Sequence, residues 1–472
     1  MLGQKSKYYL YAALALHLLA AFFSVGFFNH DEQREVLQLV GHKLGNYDGS
    51  YLSFQYHSAM RSWFHPALYL WTSQFLNLFS DFNPFIHAFF YRLLSGGFGI
   101  LSLWVLYKTF QEELQEKFKE ELFFLFSAFL WFIPFLHVRT SNENLGASFF
   151  IFALFFFKKS EKWIDALLAG LFFAMCFALR FQMAFMMAPV GLWFLIIKRY
   201  PIKNIFVMAS SFALGIGAMV LIDSALYGHW TFTPYNYFNI NIVQKYAASF
   251  GVSPWYEYFI LAYKKGGQPY GLITTLCFIY FWIRFPKHVL TWASLGFVIA
   301  HSFVGHKELR FLFPLLFFLP AILPQIIATL HWENQKAWKI IFLIVNVPLV
   351  TYYSLVPCSN LMKYYKYLYD KESIVSKVYV AHPFEDFTKF YLKNDIQYPM
   401  FQANEEEVNR ILKAEKESYF FAMNIDERDL ILKNTECQSD FSLFPKWIYD
   451  ISFVKKMRTF RSWTLIHCKN LN

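Results

Sequence analysis

The sequence predicts an all-α polytopic membrane protein with a small C-terminal α/β soluble domain. Only 16% of its 472 residues are charged, whereas 56% are hydrophobic, and the mean hydropathy is +0.30. An ordinary soluble domain carries about 25% charged residues. Eleven apolar runs precede residue 357, so we expect about 11 transmembrane helices. Cys176 and Cys277 lie inside such runs, which leaves too few cysteines for a disulfide-built scaffold.

Each apolar run is long enough, with its flanking polar residues, to form a membrane helix of about 20 residues. The runs cover residues 8–28, 84–107, 121–138, 145–157, 163–179, 183–197, 204–226, 270–283, 288–304, 311–330 and 340–356. Residues 66–80 are apolar but short, which favours a juxtamembrane or re-entrant segment. The first run follows two lysines, as in a signal peptide, but no small-x-small cleavage site precedes Asn29, so we prefer an uncleaved helix.

The positive charge predicts how the chain lies in the membrane. Residues 1–356 hold 26 Lys and Arg against 17 Asp and Glu, whereas residues 357–472 hold 17 against 16. Of the net charge of +10, +9 thus belongs to the membrane part, where orientation signals and anionic lipid explain it better than nucleic-acid binding does. Most of these basic residues lie in the short connectors on one side: Lys5, Lys7, Lys108, Lys117, Lys119, Lys158, Lys159, Lys162, Lys198, Arg199, Lys203, Arg284, Lys287, Lys336 and Lys339.

The positive-inside rule then places the N-terminus in the cytoplasm. The loops 29–65, 139–144, 227–269 and 305–310 lie outside, together with the C-terminal tail. We therefore predict a membrane domain over residues 1–356 and a separate soluble, non-cytoplasmic domain over residues 357–472.

Short β-rich runs in the tail alternate with one charged helical pattern, which is typical of a small α/β domain. The runs are Ser376–Val380, Ser418–Met423 and Trp463–Cys468, and the helical pattern surrounds Glu405–Lys416. Neither a Gly-rich phosphate loop nor a metal-ligand spacing occurs there, so no sequence motif indicates the function of the tail.

Two adjacent carboxylates, Asp31 and Glu32, follow directly on the first predicted helix and face outside. Carboxylates at this position are either functional or merely solvated. Their position beside the bilayer, and the other polar clusters predicted on the same face, favour function.

A second cluster, His306-Lys307-Glu308-Leu309-Arg310, lies between two very apolar runs. It suggests an anion site at the membrane surface, because Arg310 offers a bidentate fork to a phosphate and Lys307 a point charge. Snorkelling basic residues that anchor a helix are the alternative. Glu308 argues against a pure anchor, since it adds nothing to binding anionic lipid.

A third polar cluster, Arg139–Asn144, is followed on the same side by Arg180 and Gln182; a tight structural turn would explain it equally well. The fourth is the loop Asp223–Phe259, in which aromatic residues alternate with Asn and Asp. Aromatic rings and amides suit sugar recognition, although an interfacial aromatic belt is the alternative.

Together these clusters suit one type of reaction. A membrane-dissolved lipid phosphate-sugar would place its phosphate on the basic turn, while a carboxylate deprotonates an acceptor hydroxyl. Lys and Arg charge would stabilise the leaving phosphate.

The ordered set of motifs resembles the lipid-phosphate-mannose-dependent α-mannosyltransferases of GPI-anchor and N-glycan assembly, in the GT-C superfamily. His30-Asp31-Glu32 with Arg61-Ser62 is similar to their first loop, and Arg139-Thr140-Ser141-Asn142 to a second turn. Asp223 to Phe259 resembles their long-loop signature, and His306-Lys307-Glu308-x-Arg310-Phe311 their "HKE-RF" motif. The likeness spans about residues 29–313. The sequence differs from the family pattern at Phe54-Gln55, where the family often has Trp-Glu. This difference concerns acceptor recognition more than the reaction.

The resemblance implies a GT-C-like fold and an inverting transfer of mannose from a polyprenyl- or dolichyl-phosphate-mannose on the non-cytoplasmic face, without a required metal or other cofactor. It implies Asp31 as general base with Glu32 as helper or alternate. It also implies residues that hold the donor phosphate and residues that contact sugar or acceptor. The implied phosphate-binding residues are His306, Lys307 and Arg310, with Arg139 and Arg180 as weaker candidates. The residues implied to contact sugar or acceptor are Asn236 and Trp255.

Two alternatives stay open at this level. The chain could transport or flip a lipid-linked saccharide, with the carboxylates as a proton relay, although transporters place such groups near the midplane of repeated halves. The same fold could also use another sugar. The sequence does not determine whether the acceptor is a glycolipid or a glycan. The chain contains no Asn-x-Ser/Thr sequon, which favours a prokaryotic inner membrane over the endoplasmic reticulum.

Overall fold

The computed structural model describes residues 2–47, 49–159, 162–199, 201–371, 375–382, 389–392, 396–451, 454 and 461–469. It divides into two compact units. The first unit comprises Met1–Ser24, Tyr51–Ser80 and Phe89–Val356, and the second comprises Val25–Ser50, Asp81–Ala88 and Pro357–Asn472. The second unit thus adds two segments from the N-terminal part of the chain to the C-terminal region. The assignment of residues 1–356 to the membrane and 357–472 to solvent stays a prediction.

The described chain is mostly helical. Its α-helices are α1 (Gln4–Phe23), α2 (Gln38–Lys43), α3 (Phe54–His57), α4 (Phe64–Leu76), α5 (Pro84–Thr109), α6 (Lys117–Phe129), α7 (Phe132–His137), α8 (Asn142–Lys159), α9 (Trp163–Leu179), α10 (Ala184–Trp193), α11 (Ile202–Tyr227), α12 (Thr233–Phe238), α13 (Glu257–Lys265), α14 (Tyr270–Arg284), α15 (Val289–Phe303), α16 (Leu319–Thr329), α17 (Lys336–Leu355), α18 (Leu361–Asp370), α19 (Glu405–Ala414), α20 (Ile425–Leu432) and α21 (Lys446–Tyr449). Segments of π-helix cover Glu32–Leu37, Phe194–Lys198 and Asn239–Val243, and 3₁₀ segments cover Gly49–Tyr51, Phe181–Met183, Tyr246–Phe250, Leu309–Phe318 and Lys389–Tyr391.

Every predicted apolar run overlaps helical residues, but the bounds differ: residues 24–28 of the first run and 130–131 of the third are not helical. Within the described residues, six helical stretches are long and apolar enough to cross a membrane: Gln4–Phe23, Pro84–Thr109, Phe181–Lys198, Ile202–Tyr227, Leu309–Thr329 and Lys336–Leu355. Three shorter apolar helices, α9, α14 and α15, have 15 to 17 residues. The described residues therefore contain several candidate membrane helices, and the count of 11 stays a prediction.

Proline and glycine residues shape the first unit. Pro314 lies inside the 3₁₀ segment Leu309–Phe318, which precedes α16. Proline removes a backbone donor and obstructs a regular α-helix, so the apolar run 311–330 forms two helical pieces. Gly170 of α9 lies against α11, where an added Cβ would collide with the Met208 carbonyl. The missing side chain thus allows α9 and α11 to pack closely.

The second unit contains a four-stranded sheet in the order β1-β2-β4-β3, formed by β1 (Tyr379–Val380), β2 (Glu417–Asn424), β3 (Cys437–Ser442) and β4 (Arg461–Lys469). β1 is parallel to β2, and the other two pairs are antiparallel. Alternate residues of β2 and β4, such as Phe420 and Ile466, are buried with Ile411 and Leu412 of α19. Helix and sheet therefore share one apolar core.

Local chemistry explains the helix starts in this unit. The Asn404 side chain accepts a hydrogen bond from the Glu407 amide at the start of α19, and Asn424 does the same for Glu427 at the start of α20. Asparagine is a preferred N-cap because its oxygen satisfies an unpaired backbone donor. A disulfide joins Cys437 of β3 to Cys468 of β4, which are register partners.

Candidate active site

The turn His306–Arg310 is organised by one carboxylate. Glu308 accepts a hydrogen bond from Arg310 Nε at 2.7 Å, and His306 Nε2 lies 3.1 Å from its other oxygen. Burial raises the pKa of the Glu308 carboxyl, but the Arg310 and His306 contacts outweigh it and hold that pKa below its ordinary value. The carboxylate therefore stays charged and fixes the Arg310 guanidinium and the His306 ring.

Lys307 connects this turn to the long loop. Its ammonium donates to the backbone carbonyls of Val304 at 2.6 Å and Ser253 at 2.9 Å, while the Ser253 amide donates to the Gly305 carbonyl at 2.9 Å. Burial lowers the pKa of this ammonium. Lys307 thus contacts protein backbone in this structure, and phosphate contact by Lys307 stays a prediction.

The aromatic ring of Phe311 lies among several basic side chains. The guanidinium carbons of Arg180 and Arg310 lie 5.2 Å and 5.4 Å from its centroid, and the His306 ring lies 6.0 Å away. The electron-rich face of an aromatic ring attracts guanidinium groups. Phe311 thus brings together basic residues that are up to 130 positions apart in the sequence.

Arg180 is buried and only partly paired. It forms an ion pair with Glu143, in the first turn of α8, and both side chains are less than a tenth exposed. Its Nε and Nη2 groups have no hydrogen-bond partner among the described residues. A buried guanidinium with unpaired N–H groups is costly, so this position is suited to receive an oxyanion or another acceptor.

Arg139 bonds the end of α1, and phosphate contact by Arg139 stays a prediction. Its Nη2 donates to the carbonyl and the hydroxyl of Ser24, at 2.7 Å and 2.8 Å, and its side chain is almost fully buried. These bonds satisfy the backbone at the end of α1. Asn144 in turn donates to the Arg139 carbonyl, so this polar turn has a clear structural role.

The long-loop signature holds the segment 59–63. Asp223, at the end of α11, accepts hydrogen bonds from the Trp63 amide at 2.7 Å, Ser62 Oγ at 3.0 Å and Thr233 Oγ1 at 2.6 Å. Its side chain is fully buried. These hydrogen bonds therefore link Ser62 and Trp63 of the first loop to Asp223 and Thr233 of the long-loop signature.

Two further signature residues act on the same segment. The Asn236 amide donates to the Ala59 carbonyl at 3.1 Å, and the Tyr227 hydroxyl donates to the Arg61 carbonyl at 2.8 Å. Asn236 thus contacts protein backbone in this structure, and sugar contact by Asn236 stays a prediction. Gln55, where the family often has an acid, accepts a hydrogen bond from Arg61 Nε at 2.7 Å.

Trp255 lies on the surface of the first unit. Its side chain is 64% exposed, and Trp230 in the same loop is 76% exposed. Exposure on this scale agrees with both alternatives for the aromatic loop, namely contact with a sugar and contact with the membrane interface.

Asp31 and Glu32 belong to the second unit and differ in environment. Glu32 is buried, and its carboxylate accepts hydrogen bonds from the backbone amides of Phe28 and Asn29 at 3.0 Å and 3.3 Å. Asp31 is half-buried. A π-helix, a form frequent at functional sites, runs from Glu32 to Leu37. Glu32 thus orders its own loop, and Asp31 is the more accessible of the two carboxylates.

Two residues near Phe311 are missing from the sequence-based set. Tyr258 and His301 are buried within the first unit, and their ring centroids lie 6.5 Å apart. His301 lies in an apolar run, where a lone histidine gives no sequence signal. Tyr258 belongs to the long-loop signature, but the motif assigned it no role. Among the described residues, no group of three or more His, Cys, Asp and Glu side chains could hold a metal ion. This finding does not test whether the reaction needs a metal, so the metal-independent reaction stays a prediction.

A family model described as the Alg9-like mannosyltransferase family matches residues 8–386. The chain belongs to this family. The matched range includes every candidate site residue and ends before most of the C-terminal sheet. The resemblance found in the motifs is thereby confirmed.

Named relatives of the Alg9-like family agree with this assignment. The chain is 27% identical over 321 residues to "GPI mannosyltransferase 3" of Candida albicans, covering 66% of this chain and 62% of that protein. It is 24% identical over 363 residues to "GPI alpha-1,2-mannosyltransferase 3" of Homo sapiens, covering 75% and 63%. The matches thus span less than two thirds of the length of these relatives.

The Alg9-like chain also has a solved structural neighbour. The crystal structure of ArnT from Cupriavidus metallidurans bound to undecaprenyl phosphate matches with a TM-score of 0.58, 11% identity and coverage of 98% of both chains. At this identity the likeness concerns the fold alone. It confirms the GT-C-like fold that the motifs implied.

Proposed function

We propose that this protein is an integral-membrane glycosyltransferase that moves mannose from a polyprenyl- or dolichyl-phosphate-mannose donor to a lipid or glycan acceptor. The transfer inverts the anomeric configuration and occurs on the non-cytoplasmic face. Membership in the Alg9-like mannosyltransferase family supports the reaction. The relative named ArnT, which binds undecaprenyl phosphate, supports the type of donor.

The observation that carries this proposal is the unpaired part of the buried Arg180 guanidinium. Its Nε and Nη2 groups lack partners among the described residues, and Arg310 lies on the same Phe311 ring. A phosphate oxygen accepts from such N–H groups with charge-assisted hydrogen bonds. A lipid phosphate bound by Arg180, Arg310 and His306 would thus remove an energetic penalty that the protein otherwise carries.

In the proposed reaction the Asp31 carboxylate takes the proton of an acceptor hydroxyl. The hydroxyl oxygen attacks the anomeric carbon as the bond between that carbon and the phosphate oxygen breaks. The lipid phosphate leaves with the bonding electrons, and the positive charge of Arg180 and Arg310 stabilises it. Glu32, already bonded to backbone amides, orders the loop that carries Asp31.

Two features support the non-cytoplasmic face. The connectors rich in Lys and Arg predict that the loops of the site are outside. The disulfide between Cys437 and Cys468 is typical of chain segments in an oxidising compartment. The missing sequon favours a prokaryotic inner membrane, and the endoplasmic reticulum is the alternative that the eukaryotic relatives support.

A transfer assay tests the proposal. Purified protein in lipid is offered radiolabelled polyprenyl-phosphate-mannose, with a lipid extract of the source membrane as acceptor pool. We expect a labelled product whose formation falls by about 10²-fold in Asp31→Asn, the scale of losing a general base. Glu32→Gln is the matched variant, and a smaller loss is expected because one of its oxygens can still accept from the loop amides.

Three outcomes would change the proposal. Normal transfer by Asp31→Asn, with a large loss in Glu32→Gln, would exchange the roles of the two carboxylates. Product from donors that carry another sugar, and none from the mannose donor, would keep the fold and replace the sugar. No product with any donor would overturn transfer and favour transport of a lipid-linked saccharide.

A further inference from the structure

Two further buried side chains of the first unit each carry a polar atom without a hydrogen-bond partner among the described residues. The Tyr258 hydroxyl and His301 Nε2 bond to none of the described residues, and the two residues are 2% and 1% exposed. Buried polar groups are almost always hydrogen-bonded, so each exception calls for an explanation. Two exceptions in adjacent residues indicate a group that binds between them.

Both residues lie beside the proposed phosphate-binding cluster. The His301 ring centroid is 6.5 Å from that of Tyr258 and 6.4 Å from that of Phe311. The guanidinium carbon of Arg180 lies 5.2 Å from the centroid of the same Phe311 ring. A ligand that reaches Arg180 through one group can therefore reach Tyr258 and His301 through the next.

The hydrogen bond of the other ring nitrogen determines what His301 can bind. His301 Nδ1 lies 3.0 Å from the Phe297 carbonyl, which can only accept, so Nδ1 carries the proton. In the uncharged ring, Nε2 therefore presents a lone pair. A phosphate oxygen would satisfy Arg180 but offers no hydrogen to His301. A hydroxyl group satisfies both sides, because it donates to His301 and accepts from Tyr258 or Arg180.

We infer that Tyr258 and His301 form a hydroxyl-binding subsite that recognises the sugar of the donor next to its phosphate. The inference rests on the proposed function and deepens it, since it names residues that determine specificity for the sugar. A lipid phosphate-sugar carries ring hydroxyls close to the phosphate, as this arrangement requires. A site that hydrogen-bonds a hydroxyl strongly disfavours ligands that lack it, because its own polar groups are then left unpaired.

Binding of two lipids separates this subsite from the phosphate cluster. Affinities of the full chain in lipid nanodiscs are measured for polyprenyl-phosphate-mannose and for polyprenyl phosphate, which lacks the sugar. We expect the wild type to bind the mannose-bearing lipid more tightly. His301→Phe should weaken binding of that lipid by about tenfold, within the range for losing one specific contact, and leave polyprenyl phosphate binding within about twofold.

Further variants keep the test informative if His301→Phe does not fold. Tyr258→Phe removes a single oxygen and should also weaken only the mannose-bearing lipid. His301→Gln retains a side-chain acceptor and should recover part of the lost affinity. Tyr107→Phe is the matched control, because its buried hydroxyl donates to Glu120 at 2.7 Å in another part of the unit, and it should change neither affinity.

The possible failures are distinguishable. If His301→Phe and Tyr258→Phe weaken both lipids equally, or neither, the subsite does not exist and the two residues are structural. A wild type that transfers mannose but binds the two lipids equally would overturn the subsite and leave the proposed function intact. A wild type that binds neither lipid would overturn the proposed function and this inference with it.

Discussion

At the scale of single residues, Glu308 governs the geometry of the basic turn. Its carboxylate bonds Arg310 and His306, so the positions of both depend on its charge. We expect Glu308→Gln to weaken binding of polyprenyl-phosphate-mannose by about tenfold, or about 1.4 kcal/mol, because the guanidinium fork is no longer fixed. Glu116→Gln is the matched control, since the exposed Glu116 carboxylate bonds Lys119 at 2.8 Å in another part of the unit. Equal affinities of the wild type and Glu308→Gln would exclude this role.

The same carboxylate predicts a pH dependence of stability. The pKa of Glu308 is lower in the folded protein than its ordinary value of 4.5. A lowered pKa means that the charged form stabilises the fold, fully above pH 4.5 and progressively less as pH falls through the folded pKa. The difference in melting temperature between the wild type and Glu308→Gln should therefore be constant near neutral pH and shrink below pH 4.5. Partial exposure of Glu308 keeps this difference small. A difference that grows on acidification would contradict the assignment.

At the scale of elements, Asp223 links α11 to the segment 59–63. Asp223→Ala leaves the Trp63 amide and the hydroxyls of Ser62 and Thr233 without their acceptor, and a buried unpaired group costs about 1–3 kcal/mol. We expect the free energy of unfolding to fall by roughly 3 kcal/mol. Asp223→Asn should cost less, because its oxygen still accepts and the Thr233 hydroxyl can accept from its amide.

Thr233→Val removes one of these bonds and should cost about 1 kcal/mol. Thermal unfolding in a fixed detergent measures all three variants. The expected order of destabilisation places Asp223→Ala well above Thr233→Val and Asp223→Asn. If the three variants unfolded at the same temperature as the wild type, the hydrogen bonds of Asp223 would contribute nothing measurable to the free energy of unfolding.

The elements also show how far the sequence alone could lead. Apolar runs predicted nearly every long helix, since burial and lipid both select apolar residues over the required length. The sequence named Arg310 as a candidate through a motif and Arg180 as a weaker candidate, and the structure brings both to the Phe311 ring. The motifs could not indicate that Asn236 bonds the Ala59 carbonyl, or that His301 lies beside Tyr258. Such contacts depend on tertiary packing, which local patterns do not record.

At the scale of the whole molecule, the membrane topology determines on which side of the membrane the reaction takes place. The basic connectors predict that residue 162 is cytoplasmic and that residues 227–269 and the tail are outside. Cysteines introduced at exposed positions test this: Lys162→Cys, Gln244→Cys and Lys416→Cys. The unsubstituted chain, with buried Cys176 and half-buried Cys277 and Cys358, supplies the background.

In intact cells, a membrane-impermeant maleimide should label Gln244→Cys and Lys416→Cys at once. Lys162→Cys should react only after the membrane is permeabilised, because the cytoplasmic side is then exposed to the reagent. The opposite pattern would reverse the topology and place the proposed site in the cytoplasm. Labelling of Gln244→Cys but not Lys416→Cys would put the C-terminal tail, residues 357–472, on the cytoplasmic side. The tail could then take no part in transfer at the outer face, and an even number of spans would lie between residues 1 and 357.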